Sequence, residues 1–285
     1  MEIIELTSGI VEEYIPFISR DMVENLSRKY FSGAIVIDDD DEPVSAIIWE
    51  VKHSDDEAKN SEVELAYLKI NDEEAGDELL SSYVGMADES YIDKTVFDLP
   101  HSSLVEYEEL LKKNGFDIIE GESNDLYVTV GDIFNLDFIK KKEPPSYIYS
   151  LGTLDSRSFK RGIIECIYNS KREVLEDLSN LPIDWYEQDV SCYEEADGSI
   201  KGFLLVHRLP SGGLRIELLS DWGPDGQKML LHMVRFSALR VKELYSPETP
   251  VVIHRHDAAS TNLATYMFPQ VKGAKSIKGE RKRGE

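Results

Sequence analysis

Gly33-Ala-Ile-Val-Ile-Asp38, an acidic turn over residues 38–42, and then Pro43-Val-Ser-Ala-Ile-Ile-Trp49 read as a β-hairpin. Two apolar runs of strand length flank a cluster of turn-forming acids. The same figure returns in the second half. Val190-Ser-Cys-Tyr-Glu194 leads through an Ala-Asp-Gly turn into Ser199-Ile-Lys-Gly-Phe-Leu-Leu-Val206. A pattern that recurs at this size fixes the architecture before any motif is weighed.

The flanks repeat as well. In the first half, residues 2–6 read as a strand and 11–29 as a helix that Thr7 or Ser8 can cap. Residues 62–70 alternate, with Val63, Leu65 and Tyr67 on one side and Glu62 and Glu64 on the other. A helix follows over 72–88, with Leu79, Leu80, Tyr83, Val84 and Ala87 at helical spacing. Then come a strand at 94–99, a helix at 102–114 that Gly115 ends, and strands at 116–120 and 125–130. In the second half the expected order is a strand at 147–151, helices at 156–169 and 171–181, and the hairpin at 189–195 and 200–209. A strand at 213–220, a long helix at 224–244, a strand at 249–254 and a helix at 258–268 complete it. Lys140-Lys-Lys-Glu-Pro-Pro145 cannot continue a helix or a central strand. It divides the chain into 1–135 and 146–285. The basic end, 272–285, is expected to fray.

Charge separates the halves. Residues 1–135 carry 34 acids and 9 bases, and residues 136–285 carry 21 and 22. Such a field bears on partners and solubility, not on fold. It opposes nucleic acid and anionic lipid in the first half, and it suits a basic protein partner there. No apolar run reaches the ~20 residues of a membrane span. The N-terminal residues lack a signal peptide's pattern, and Cys166 and Cys192 make no disulfide framework, so a reducing cytoplasm is expected.

The doubled order of strand, helices, three strands, helix, strand, helix and strand resembles the GNAT superfamily of acyl-CoA N-acyltransferases. Leu110-Leu-Lys-Lys-Asn-Gly-Phe116 looks like that superfamily's helix-to-strand ending. The resemblance implies two tandem α/β domains with mixed sheets. It implies acetyl-CoA as the acyl donor, bound where a helix opens after the fourth strand of a domain. There, free amides and the positive end of the dipole suit a pyrophosphate. The superfamily's loop pattern, Arg/Gln-x-x-Gly-x-Gly/Ala, places Gly76 at its last position in the first half, with Asn71 at the basic position and Glu74 at the first glycine. In the second half Gly226 stands last, Asp221 stands at the basic position and Pro224 at the first glycine. Five carboxylates surround the first loop, whereas Gly226, Gln227 and Lys228 leave the second more neutral. Leu219 and Ser220 end the strand that leads into it. The second half is therefore expected to hold the cofactor.

The resemblance also implies a fourth-strand glutamate as general base, which points to Glu217 and Glu64. The superfamily's tyrosine acid is replaced by Leu111 and, in the second half, by Ala264. His254-Arg255-His256-Asp257 ends a strand. His256 could serve as acid or base, and no third ligand suggests a metal, so none is expected. The implied function is acetyl transfer to a small-molecule amine or a peptide N-terminus. The missing tyrosine, the loop acids and Pro224 equally fit a non-catalytic interaction protein built on the same fold.

Overall fold

The structure is a computed structural model that describes residues 1–52, 61–140, 144–169, 176–255 and 258–284. The chain forms two compact units. One comprises Met1–Ser123 together with Ala274–Glu285, and the other Asn124–Gly273.

The first unit runs β1 (Glu2–Leu6), α1 (Arg20–Asn25), β2 (Phe31–Ile37), β3 (Pro43–Lys52), β4 (Glu62–Ile70), α2 (Glu73–Glu89), β5 (Lys94–Pro100), α3 (Leu104–Lys113) and β6 (Asp117–Glu122). The second runs β7 (Asp125–Thr129), α4 (Val130–Phe134), α5 (Asp137–Lys140), β8 (Ile148–Ser150), α6 (Ser156–Asn169), β9 (Cys192–Ala196), β10 (Ser199–Arg208), β11 (Leu214–Asp221), α7 (Gly226–Leu244), β12 (Pro250–His254) and α8 (Ala258–Met267). The last strand, β13 (Lys275–Lys282), returns to the first unit.

The first sheet is ordered β1-β2-β3-β4-β5-β13-β6 and the second β7-β12-β11-β10-β9-β8. In each, the fourth strand of the repeat pairs in parallel with the fifth, β4 with β5 and β11 with β12; the other pairs are antiparallel. Each sheet is covered on both faces. In the first unit, Ile47, Leu65, Leu79 and Tyr83 lie in one core, and Ile18, Ile35 and Ile48 in the other. In the second, Cys192, Leu204, Met233 and Val234 pack beneath α7, and Phe159, Ile163, Phe203 and Leu205 beneath α6.

Both hairpins form as the sequence predicts. Several expectations are corrected. The helix at 11–29 is broken by Pro16, which has no N–H and whose ring bars a continuous turn; a 3₁₀ turn over Val11–Tyr14 and the short α1 remain. Part of the 171–181 helix lies outside the described residues, and Glu176–Ser179 is a 3₁₀ turn. Helical spacing with Leu230, Met233, Val234 and Val241 puts Leu244 on the core stripe of α7, yet Leu244 is exposed.

The largest correction concerns two strands. β7 was expected to close the first half, yet it pairs with β12 in the second sheet. The basic end was expected to fray, yet β13 lies between β5 and β6. Gly279 is forced to be glycine there, because a Cβ would stand 2.5 Å from the Phe97 ring. Arg281 is buried and donates to both Asp88 carboxylate oxygens at 2.9 and 2.7 Å. The exchange also moves charge. The first unit holds 34 acids and 14 bases, and the second 21 and 17.

Candidate functional site

In both units the fourth strand carries a bulge and then parts from the fifth. The β10–β11 register runs Leu205 opposite Leu218 and then Val206 opposite Ile216, leaving Glu217 as the extra residue. The β3–β4 register runs Ile48 opposite Tyr67 and then Trp49 opposite Leu65, leaving Ala66. The parallel ladder ends beside each bulge, at Ile216 with Ile253 and at Leu65 with Phe97. Beyond it β11 continues to Asp221 and β4 to Ile70. A parted parallel pair presents backbone amides and carbonyls along a cleft, where an extended amide-bearing chain can pair with them.

The two bulges show which carboxylates correspond. Glu217 matches Ala66, and Glu64 matches Arg215. Glu64 and Glu217 therefore lie on equivalent strands at different positions. Only the second unit has a carboxylate at the bulge. Its Oε1 accepts from Arg215 Nε at 2.6 Å, and the Glu217 side chain is buried. Glu64 instead pairs with Lys52.

The helix openings differ too. In the first unit, Asp72 caps α2, its Oδ1 accepting from Ala75 N at 2.9 Å. The Gly76 amide is already bonded to Asp72 O at 2.9 Å, and a Cβ on Gly76 would stand 2.5 Å from Ile70. Gly76 is thus a packing glycine. Glu73, Glu74, Asp77 and Glu109 line a surface pocket beside this helix start. In the parted part of β4, Ile70 N donates to the Tyr107 hydroxyl at 3.1 Å. Tyr107 fills this end of the first cleft from α3. Tyr107 and Leu111 are one turn apart on the buried face of α3, and the sequence alone does not show which of them reaches β4.

In the second unit, Leu219 and Ser220 lie on the parted stretch of β11, and Gly226, Gln227 and Lys228 form the first turn of α7. Lys228 is exposed. Asp225 stands at the N-cap without a side-chain cap bond. Asp221 turns into this loop: its Oδ1 accepts from Gly223 N at 2.9 Å and would lie 3.1 Å from a Cβ on Gly226. Its Oδ2 is buried near Glu194, with Gly202 between them; a Cβ on Gly202 would stand 2.9 Å from that oxygen. Burial first, and then the Asp221 carboxylate, push the Glu194 carboxyl up to about 8, with Asp225 adding and Lys201 opposing.

His256 lies outside the described residues. His254 Nδ1 is 2.8 Å from Asp125 Oδ1, so the histidine at the strand end is engaged by β7. Ala264 is buried, and Tyr266 is exposed. Among the described residues, no three His, Cys, Asp or Glu side chains gather as a metal set, and no helix is long and apolar enough to cross a membrane.

No family profile matches this sequence, and no curated protein matches it in sequence. Solved structures do match. The chain is similar to a tandem GNAT protein from the clavulanic acid biosynthesis pathway, at 11% identity and a TM-score of 0.62, over 100% of this chain and 99% of that one. It is similar to a GCN5-related glucosamine N-acetyltransferase region of a fungal multi-domain GH3 β-N-acetylglucosaminidase, at 11% identity and a TM-score of 0.61, over 98% of this chain and 38% of that one. A Drosophila protein aligns at 10% identity and a TM-score of 0.53, over 98% of each chain. Likeness at such identity speaks for fold. The chain has the tandem GNAT fold, a mixed α/β architecture present twice.

Proposed function

We propose that this chain is an acyl-CoA-dependent N-acyltransferase whose working site is the second unit, with acetyl-CoA as donor and a small amine or a peptide N-terminus as acceptor. The observation that carries this is Glu217, a carboxylate placed by the β11 bulge at the mouth of the parted strands. A carboxylate there can take the proton of an attacking amine. The amine nitrogen bonds to the acyl carbon, the carbon–sulfur bond breaks, and the thiol leaves with one proton. Leu219 and Ser220 offer backbone along the cleft, and the amides of Gly226 and Gln227, with the exposed Lys228 beside them, lie at the end where the helix dipole favours phosphate. The first unit lacks the bulge carboxylate, and Tyr107 takes the amide of Ile70.

Calorimetry with acetyl-CoA tests this reading. Binding is expected, Gly226→Glu abolishes it, and Glu217→Gln leaves it while lowering turnover about 100-fold or more. Glu74→Lys, in the first turn of α2, leaves binding unchanged. Were Glu74→Lys to strengthen binding while Gly226→Glu did nothing, the donor would belong to the first unit.

A second reading has its own observation. Asp221 already sits on the Gly223 amide, and Asp72 on that of Ala75, so each loop holds a carboxylate of its own chain where a phosphate would go. A non-catalytic protein whose acidic first unit binds a basic partner fits that. No heat at millimolar acetyl-CoA, together with capture of a basic protein lost at raised salt, would decide for it.

A further inference from the structure

Around His207 and Glu217 the second unit holds two buried donors with no acceptor among the described residues. Arg215 lies directly across from His207 in the β10–β11 ladder, so the two side chains share a face. Trp185 stacks on the His207 ring, with centroids 4.3 Å apart and planes 7° from parallel, and its carbonyl lies 2.7 Å from His207 Nδ1. Arg215 spends Nε on Glu217, yet its Nη2 is buried without a partner among the described residues. Trp185 Nε1 is also buried without one. Buried donors are seldom left so, because each forfeits its hydrogen bonds to water.

We propose that Arg215 and Trp185 select an acceptor amine that carries a carboxylate, of the α-amino acid class. This rests on the acyltransferase reading above. Three points favour that chemistry. The edge of a guanidinium suits a planar carboxylate. Arg215 and Glu217 together carry no net charge, so a single negative charge is accommodated better than a phosphate dianion. A carboxylate on Arg215 and an amine on Glu217 stand as close as those two side chains do, which matches groups on one carbon. The stack on His207 holds the indole in place without consuming its N–H.

The probes are an equimolar mixture of the protein L-amino acids and the matching mixture of their amides. Two readouts apply: the thermal midpoint without acetyl-CoA, and thiol release with it. The acid mixture is expected to raise the midpoint and to be used at least tenfold better than the amides. Trp185→Phe keeps an aromatic ring to stack and loses the donor; it should raise KM for the acids about tenfold, with a much smaller effect on kcat and on amide use. Arg215→Lys, which keeps the charge but loses the fork, should shrink the preference further. A midpoint shift by the acids alone without thiol release supports the site and overturns the transferase reading. Equal thiol release from both mixtures does the reverse. No shift and no release with either, or a preference that both variants leave intact, overturns the proposal.

Discussion

Glu194 and Asp221 show how one glycine sets a proton's position. Gly202 leaves room for two carboxyl groups under the start of α7. With its pKa raised from 4.5 to about 8, Glu194 holds more proton in the folded than in the unfolded chain between those values. Stability therefore falls as pH rises through that window and levels off above it. Glu194→Gln should remove the slope and, at pH 9, stabilise the second unit by a few kcal/mol in urea unfolding; an unchanged slope would show that no proton is shared. Arg281 works in the opposite sense. Its guanidinium holds the Asp88 carboxyl below the usual carboxylate range, so this contribution is present at neutral pH and lost as pH falls. Arg281→Gln should cost about 2 kcal/mol in the first unit at pH 7 and less near pH 3.

At the scale of elements, the fourth strand and β13 matter most. The bulge turns one residue of β11 out of the ladder, and that residue is Glu217; in β4 it is Ala66. β13 supplies hydrogen bonds to two neighbours at once and buries Ile277, Ser276 and Arg281. Removing residues 274–285 exposes the facing edges of β5 and β6. The shortened chain is expected to lose cooperative unfolding in its first unit while the second keeps its transition. Trp49 fluorescence would follow the first unit, and Trp185 and Trp222 the second. Two intact transitions would mean that β13 is dispensable.

At the scale of the molecule, the second unit is continuous in sequence and the first is not. Residues 124–273 alone should unfold cooperatively. Residues 1–123 alone should not, until a peptide of residues 274–285 is added. Circular dichroism in urea would report both, and a cooperative transition of 1–123 without the peptide would contradict it.

Alternation, turn chemistry and helical spacing are local, so both hairpins, the long helices α2 and α7 and the repeated order were legible in the sequence. What the tertiary structure decided was everything that depends on partners distant in the chain. The Lys- and Arg-rich end read as a frayed tail, because its few apolar residues gave no sign that Phe97 and Asp88 awaited it. The register that separates Glu217 from Glu64 by two positions is set by neighbouring strands. The pairs Arg215 with His207, Glu194 with Asp221 and Tyr107 with Ile70 join residues on different elements. A sequence written as a line carries the pattern of each strand but not the identity of the strand beside it, and in this protein the neighbour decides both where the last strand goes and which residue stands at each bulge.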